Sequence, residues 1–185
     1  MSDIFTDRRK SYMDIGEIFF FTATVNSWMY LLAADNYKQV VVDSLENLKS
    51  RSLADIFAFV IMPNHIHVIW RTLSLNGKET VQGSFLKYTA HCFRRMLMND
   101  DPAELRKYSV VAKNKQFEFW QRDSLAIHLY SKEVALQKLD YLHLNPLAEH
   151  WQLAKEPSDY YWSSASFYDQ GVSPFGFLSD LRNEF

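Results

Sequence analysis

Cys92 is the chain's one cysteine, which excludes an internal disulfide and any Cys-x-x-Cys zinc site. Glycine and proline are scarce, at 5 each in 185 residues, and no repeat, low-complexity tract or linker stands out. No apolar run approaches the ~18 residues of a membrane-spanning helix. The first residues carry Asp3, Asp7 and Arg8-Arg9-Lys10 but no apolar core, so they do not read as a signal peptide, and a cytoplasmic protein is the default expectation. An excess of positive charge is also missing. The 20 Lys and Arg face 22 Asp and Glu, a net charge of −2. Nucleic-acid binders are usually basic overall, so such a role would need positive charge concentrated locally.

Apolar residues are plentiful, at 48%, and aromatics reach 16%, with 14 Phe, 10 Tyr and 5 Trp, which fits one globular domain with a substantial core. Aromatics suit base stacking, but a large core uses them equally well. Ile18 to Val25 is β-branched and aromatic and reads as a strand. Asp35 to Ser50 has helical spacing in Tyr37, Val41, Leu45 and Leu48. Ala54 to Met62 reads as a strand buried on both faces, Pro63-Asn64 as a turn, and His65 to Arg71 as the returning strand. A helix is expected after Gly83-Ser84, running to about Met98, then a polar loop over 99–117 and a short fourth strand, Phe117 to Trp120. Ser131 caps a last helix that Asn145-Pro146 ends. The tail beyond 147 has only a weak pattern. The order predicts an α+β protein: a ferredoxin-like, RRM-like split-βαβ antiparallel sheet with helices on one face, plus a separate tyrosine-bearing helix.

Side chains two apart on a strand share a face, so His65 and His67 project together, roughly 7 Å apart at their backbones. Two imidazoles so placed can converge on one metal ion, or they can simply alternate on a solvated strand. On the last helix Lys138, Tyr141 and Asn145 share one side. Ala135, Leu139 and Leu142 form an adjoining apolar stripe that would dock the helix on the sheet. A phenol, an amide and an ammonium could then stand over the histidines. Phenols ordinarily ionise near pH ~10, so a metal that polarises the phosphate would help such a nucleophile. A tyrosine at the border of a buried helix face is also common without any chemistry.

Two stretches carry a family resemblance. Phe57 to Trp70 (FAFVIMPNHIHVIW) resembles the HUH strand of the small tyrosine transposases that mobilise insertion sequences as single-stranded DNA, and Leu139 to Leu147 (LDYLHLNPL) resembles their tyrosine helix. The similarity is closest to the REP-associated tyrosine transposases, and Phe119 to Asp123 (FWQRD) and Asp159 to Tyr168 (DYYWSSASFY) resemble further stretches of that group. The resemblance implies a single nuclease domain over residues 1–185, with 1–14 a basic arm and 150–185 a C-terminal extension. It implies His65, His67 and Asn145 as metal ligands and Tyr141 as the nucleophile that takes the 5′ end of the cut strand. It further implies Mg²⁺ or Mn²⁺ as cofactor and single-stranded or hairpin DNA as partner. Two imidazoles are softer than Mg²⁺ prefers, so Mn²⁺ is expected to bind well in vitro. Relatives act as homodimers or as monomers, and both remain open. So do a domesticated hairpin-binding protein without cleavage and a small-phosphoester hydrolase with Tyr141 structural.

The expected DNA contacts start with Lys87, Arg94 and Arg95, on one side of a helix free of acidic residues between Ser84 and Leu97. Such a stripe would hold phosphates, or be a merely solvated face. Lys138 is expected over the site. Arg8, Arg9 and Lys10 could form a basic arm or a frayed terminus. Trp120 and Arg122 could stack and clamp an unpaired base, although Trp120 could equally be core.

Overall fold

The computed structural model describes residues 13–185 other than 113, 114 and 123, so the Arg8-Arg9-Lys10 arm lies outside the described residues. In chain order the elements are β1 (Ile18–Thr24), α1 (Asp35–Ser50), β2 (Ala54–Ile61), β3 (His65–Thr72), α2 (Val81–Asp100) and α3 (Pro102–Arg106). There follow a hairpin of β4 (Ser109–Ala112) and β5 (Lys115–Phe117), then β6 (Leu125–His128), α4 (Lys132–Leu144) and α5 (Ala165–Gln170). The main sheet runs β2-β3-β1-β6 with every neighbouring pair antiparallel, the split-βαβ arrangement expected.

Strand alternation builds two cores. Phe19, Phe21 and Ala23 of β1 join Ile66, Val68 and Trp70 of β3 on one face, where Val41 and Leu45 of α1 and Phe85 and Phe93 of α2 cover them. Ile18 and Phe20 point the other way with Phe57, Val60 and Ile69, and Ala135, Leu139 and Leu142 of α4 cover those. Each large side chain so buried contributes about 1.5–3 kcal/mol. The tyrosine helix is thus the lid of the second face.

Three expectations need correction. Helix α2 starts at Val81, because Thr80 caps it by accepting a hydrogen bond from Gly83 N (3.2 Å). Residues 99–117 are not one polar loop: Asp101 caps α3 through Glu104 N (2.9 Å), and the β4–β5 hairpin follows. The fourth strand of the sheet is Leu125–His128 rather than Phe117 to Trp120. Phe117 belongs to the hairpin, and Trp120 makes an isolated bridge to Val25 beyond the end of the main ladder.

The weakly patterned tail closes the sheet's edge. Ser163 bridges to Val60, Ser164 N donates to Phe59 O (2.9 Å), and Ser179 N donates to Ile56 O (2.9 Å). Tyr160 and Tyr168 send their hydroxyls to Ile61 O (2.8 Å) and Phe57 O (2.9 Å). The carbonyls and amides that edge strand β2 would otherwise present are thereby satisfied.

Candidate active site at the polar end of the sheet

One face of β1 reads Ile18, Phe20, Thr22, Thr24, and the matching face of β3 reads Ile69, His67, His65. The register sets Phe20 beside Ile69, Thr22 beside His67 and Thr24 beside His65. Both strands therefore turn from apolar to polar at the same end, and the polar residues meet across the ladder. The face is not wet: His65 and His67 are only 8% and 5% exposed. Their rings stand 4.8 Å apart, centroid to centroid.

Hydrogen bonds assign the ring nitrogens. Asn64 Oδ1, an acceptor, lies 2.7 Å from His65 Nδ1, which must donate to it. Thr22 Oγ1 lies 2.8 Å from His67 Nδ1, and Asn145 Nδ2 donates to His67 Nε2 at 3.3 Å, so the proton of His67 also sits on Nδ1. Both rings thus turn an unprotonated Nε2 to the cleft. Burial pushes His65 down to about 4, against a smaller opposing effect of Asn145 and a further lowering by His150. Burial pushes His67 down to about 3, helped by its neighbours His65 and Lys138. At neutral pH both are uncharged, with roughly one molecule in a thousand or fewer protonated at either ring.

Helix α4 supplies the other wall. Ser131 caps it by accepting from Val134 N (3.4 Å), Glu133 stands in its first turn, and Asn145-Pro146-Leu147 ends it as a 3-10 turn. Tyr141 has its ring 5.6 Å from that of His67 and 5.9 Å from that of Phe20, and remains half exposed. Lys138 holds its ammonium 5.5 Å from the Phe20 ring centre and 5.7 Å from that of Tyr141. The four residues expected at the site, with Lys138, line one cleft of about 620 Å³. Among the described residues no cluster of three His, Cys, Asp or Glu could hold a metal ion. A third protein ligand here would be the Asn145 amide. Two neutral Nε2 atoms and an amide that can offer oxygen fit a divalent transition ion better than Mg²⁺.

Trp120 needs correction as a stacking residue. It is 6% exposed, packs on Phe93 and donates Nε1–H to Thr89 Oγ1 (2.9 Å), so it is core. Lys87, Arg94 and Arg95 do not reach the cleft, because α2 covers the opposite face of the sheet, and Arg122 does not line it either. Lys87 pairs with Glu79 (2.6 Å), Arg122 with Glu118 (3.1 Å), and Arg94 lies over the Phe117 ring (5.3 Å). Arg95 is exposed on α2.

Thr22, Trp28 and Trp151, which line the cleft, and Asn64, which bonds His65, are residues that sequence reasoning missed. Asn64 stands next to the histidine pair and offered a signal. Thr22 needs the register, and the aromatics need the loop paths, neither of which spacing reveals.

No family model and no curated protein matches the chain. Among solved structures it resembles a REP-associated tyrosine transposase bound to a REP hairpin, with a TM-score of 0.60 and 21% identity over 98% of this chain and 93% of that one. The fold is that of a REP-associated tyrosine transposase. A "putative transposase" of Deinococcus radiodurans R1 matches more distantly, with a TM-score of 0.39 and 16% identity over 71% of this chain and 92% of that one. In this fold His65-Ile66-His67 lies at the start of β3 and Tyr141 on α4.

Proposed function

We propose that this chain is a metal-dependent tyrosine endonuclease and strand transferase acting on single-stranded, hairpin-forming DNA. The observation that carries the reading is the convergence of Tyr141, Lys138 and Asn145 on two neutral histidines whose Nε2 atoms face one cleft. A REP hairpin bound to the structurally similar transposase supports hairpin DNA as the partner.

His65 and His67 would hold a divalent ion, Mn²⁺ or Mg²⁺, with Asn145 as third ligand. A bound ion draws charge from the scissile phosphate and makes it a better electrophile. The Tyr141 oxygen attacks phosphorus after giving up its proton to solvent water, and the bond from phosphorus to the 3′ oxygen breaks. That oxygen takes a proton and leaves as a 3′ hydroxyl, while the 5′ phosphate stays on Tyr141. Attack by a 3′ hydroxyl on this ester reverses the step and rejoins strands. Lys138 places positive charge beside the tyrosine, where negative charge develops.

Incubation of labelled hairpin DNA with the protein and Mn²⁺ should give a denaturation-resistant protein–DNA adduct that EDTA prevents. Hairpins bound but never nicked would instead mark a binding protein, and nicking without an adduct would mark a hydrolase.

A further inference from the structure

The cleft has a third wall that the chemistry above does not use. Trp28 is 58% exposed and lines the cleft with Trp151, while Tyr30, 63% exposed, packs against Trp151. The Trp28 and Trp151 rings flank His65 with centroids at 6.4 and 6.1 Å, and Tyr30 meets Trp151 at 5.7 Å.

The backbone is bent to put them there. Among the described residues only four other than glycine have positive φ, and three of these belong to the loops that carry the two indoles: Ser27 (54°), Trp28 (56°) and Gln152 (48°). A bulky residue in that region costs on the order of 1 kcal/mol and persists only where its surroundings hold it. Here they do: Trp28 N donates to Val25 O (3.0 Å), and Trp28 O accepts from Asn64 Nδ2 (3.4 Å). The same Asn64 amide accepts a hydrogen bond from His65 Nδ1–H, so one side chain fixes both the indole loop and the ring beside it.

Charge points to the occupant. The cations on the α2 side are largely spent on carboxylates or rings, and the chain is net negative, so phosphate attraction is weak. Among the described residues Lys138 is the one lysine or arginine that lines the cleft, so much of the affinity near the histidines falls to flat apolar contact. We propose that Trp28 and Trp151, backed by Tyr30, form a stacking clamp for one unpaired nucleobase next to the scissile phosphate. This rests on the DNA-cleaving reading for its location but is tested by binding alone. The hairpin therefore needs an unpaired flank, and a fully paired end leaves the clamp empty.

The test measures equilibrium binding in EDTA, where nothing is cut. The probes are one DNA hairpin carrying a short unpaired extension on either end, and the same hairpins with single extension positions made abasic. An abasic site removes a base but no phosphate, so it isolates stacking from charge. Wild-type protein should lose roughly tenfold to a hundredfold in affinity at one extension position. Trp28→Ala or Trp151→Ala should bind the intact probe as weakly as wild type binds the abasic one, with no further abasic penalty, and Trp28→Phe should restore part of it. An equal abasic penalty in wild type and both alanine variants, or none at any position in wild type, overturns the clamp. Adduct formation is read separately, so failure of the cleavage reading would leave this result standing, and the reverse.

Discussion

His67 and His143 are alike in burial and in charge. Both are under a tenth exposed, both are held neutral by loss of water, and each has a hydroxyl within hydrogen-bond distance. They differ in which nitrogen the fold uses. His67 spends Nδ1 on Thr22, inside the sheet, and turns Nε2 to a cleft. His143 spends Nε2 on Ser164 (2.9 Å), whose hydroxyl also accepts from Phe59 N (3.0 Å). The second arrangement braces α4 against β2 and the tail. Burial and a depressed pKa therefore do not by themselves mark either ring as a ligand. What sets His67 apart is an unprotonated Nε2 turned to the cleft, where its partner is the Asn145 amide.

The largest test of that contrast is cleavage. His67→Ala should lower the rate of nicking in Mn²⁺ by about a thousandfold or more, since phosphate activation is lost. His143→Gln, which keeps a polar partner for Ser164, should stay within about tenfold of wild type. A folded His143→Gln protein that no longer cuts would break the comparison.

A smaller effect is expected across the ladder from His67. Thr22→Val removes the acceptor that fixes the His67 tautomer. Affinity for Mn²⁺, followed by calorimetry, should fall by about 10- to 100-fold. Unchanged affinity would mean that Thr22 does not orient the ring.

Stability against pH sharpens the other half. Burial holds His143 down to about 4 when folded, against an ordinary value of about 6.5 when unfolded. Between those values the unfolded chain binds the extra proton, so the stability is complete above about pH 6.5 and is lost as pH falls toward 4. By pH 5 the loss from this group is about 2 kcal/mol. Urea unfolding at pH 7.5 and pH 5 should therefore show a smaller difference for His143→Gln than for wild type. Equal differences would contradict a neutral, buried His143.

The smallest effects should come from the paired cations. Lys87→Ala and Arg122→Ala remove charges already matched by Glu79 and Glu118, and each should change hairpin affinity by less than about threefold. Lys138→Ala, at the cleft, should cost more than either. The reverse order, read by gel shift at fixed salt, would return the α2 stripe to the DNA surface.

The legible part of this molecule is its periodic part. Alternation in β1 and β3 and the stripe Ala135, Leu139, Leu142 are local patterns, so the first three strands of the sheet, their faces and the docking of α4 could be read from sequence, whereas α3, the β4–β5 hairpin and β6 could not. His65, His67, Tyr141 and Asn145 lie on those same elements, and the structure brings them together because the elements dock as their apolar faces require. What stayed hidden depends on register or on irregular backbone. The Thr22–His67 pair follows from which strand neighbours which. Trp28 and Trp151 are placed by positive-φ loops that leave no period. Trp120 misled because an aromatic beside an arginine looks alike in a core and in a binding groove until its N–H partner, Thr89, is known.

The proposed chemistry meets its most direct test in peptide mapping of the protein–DNA adduct trapped in Mn²⁺. The account predicts a single phosphotyrosine at Tyr141 carrying the 5′ side of the cut strand, and none from Tyr141→Phe. An adduct mapped to another tyrosine, or one that Tyr141→Phe still forms, would contradict it.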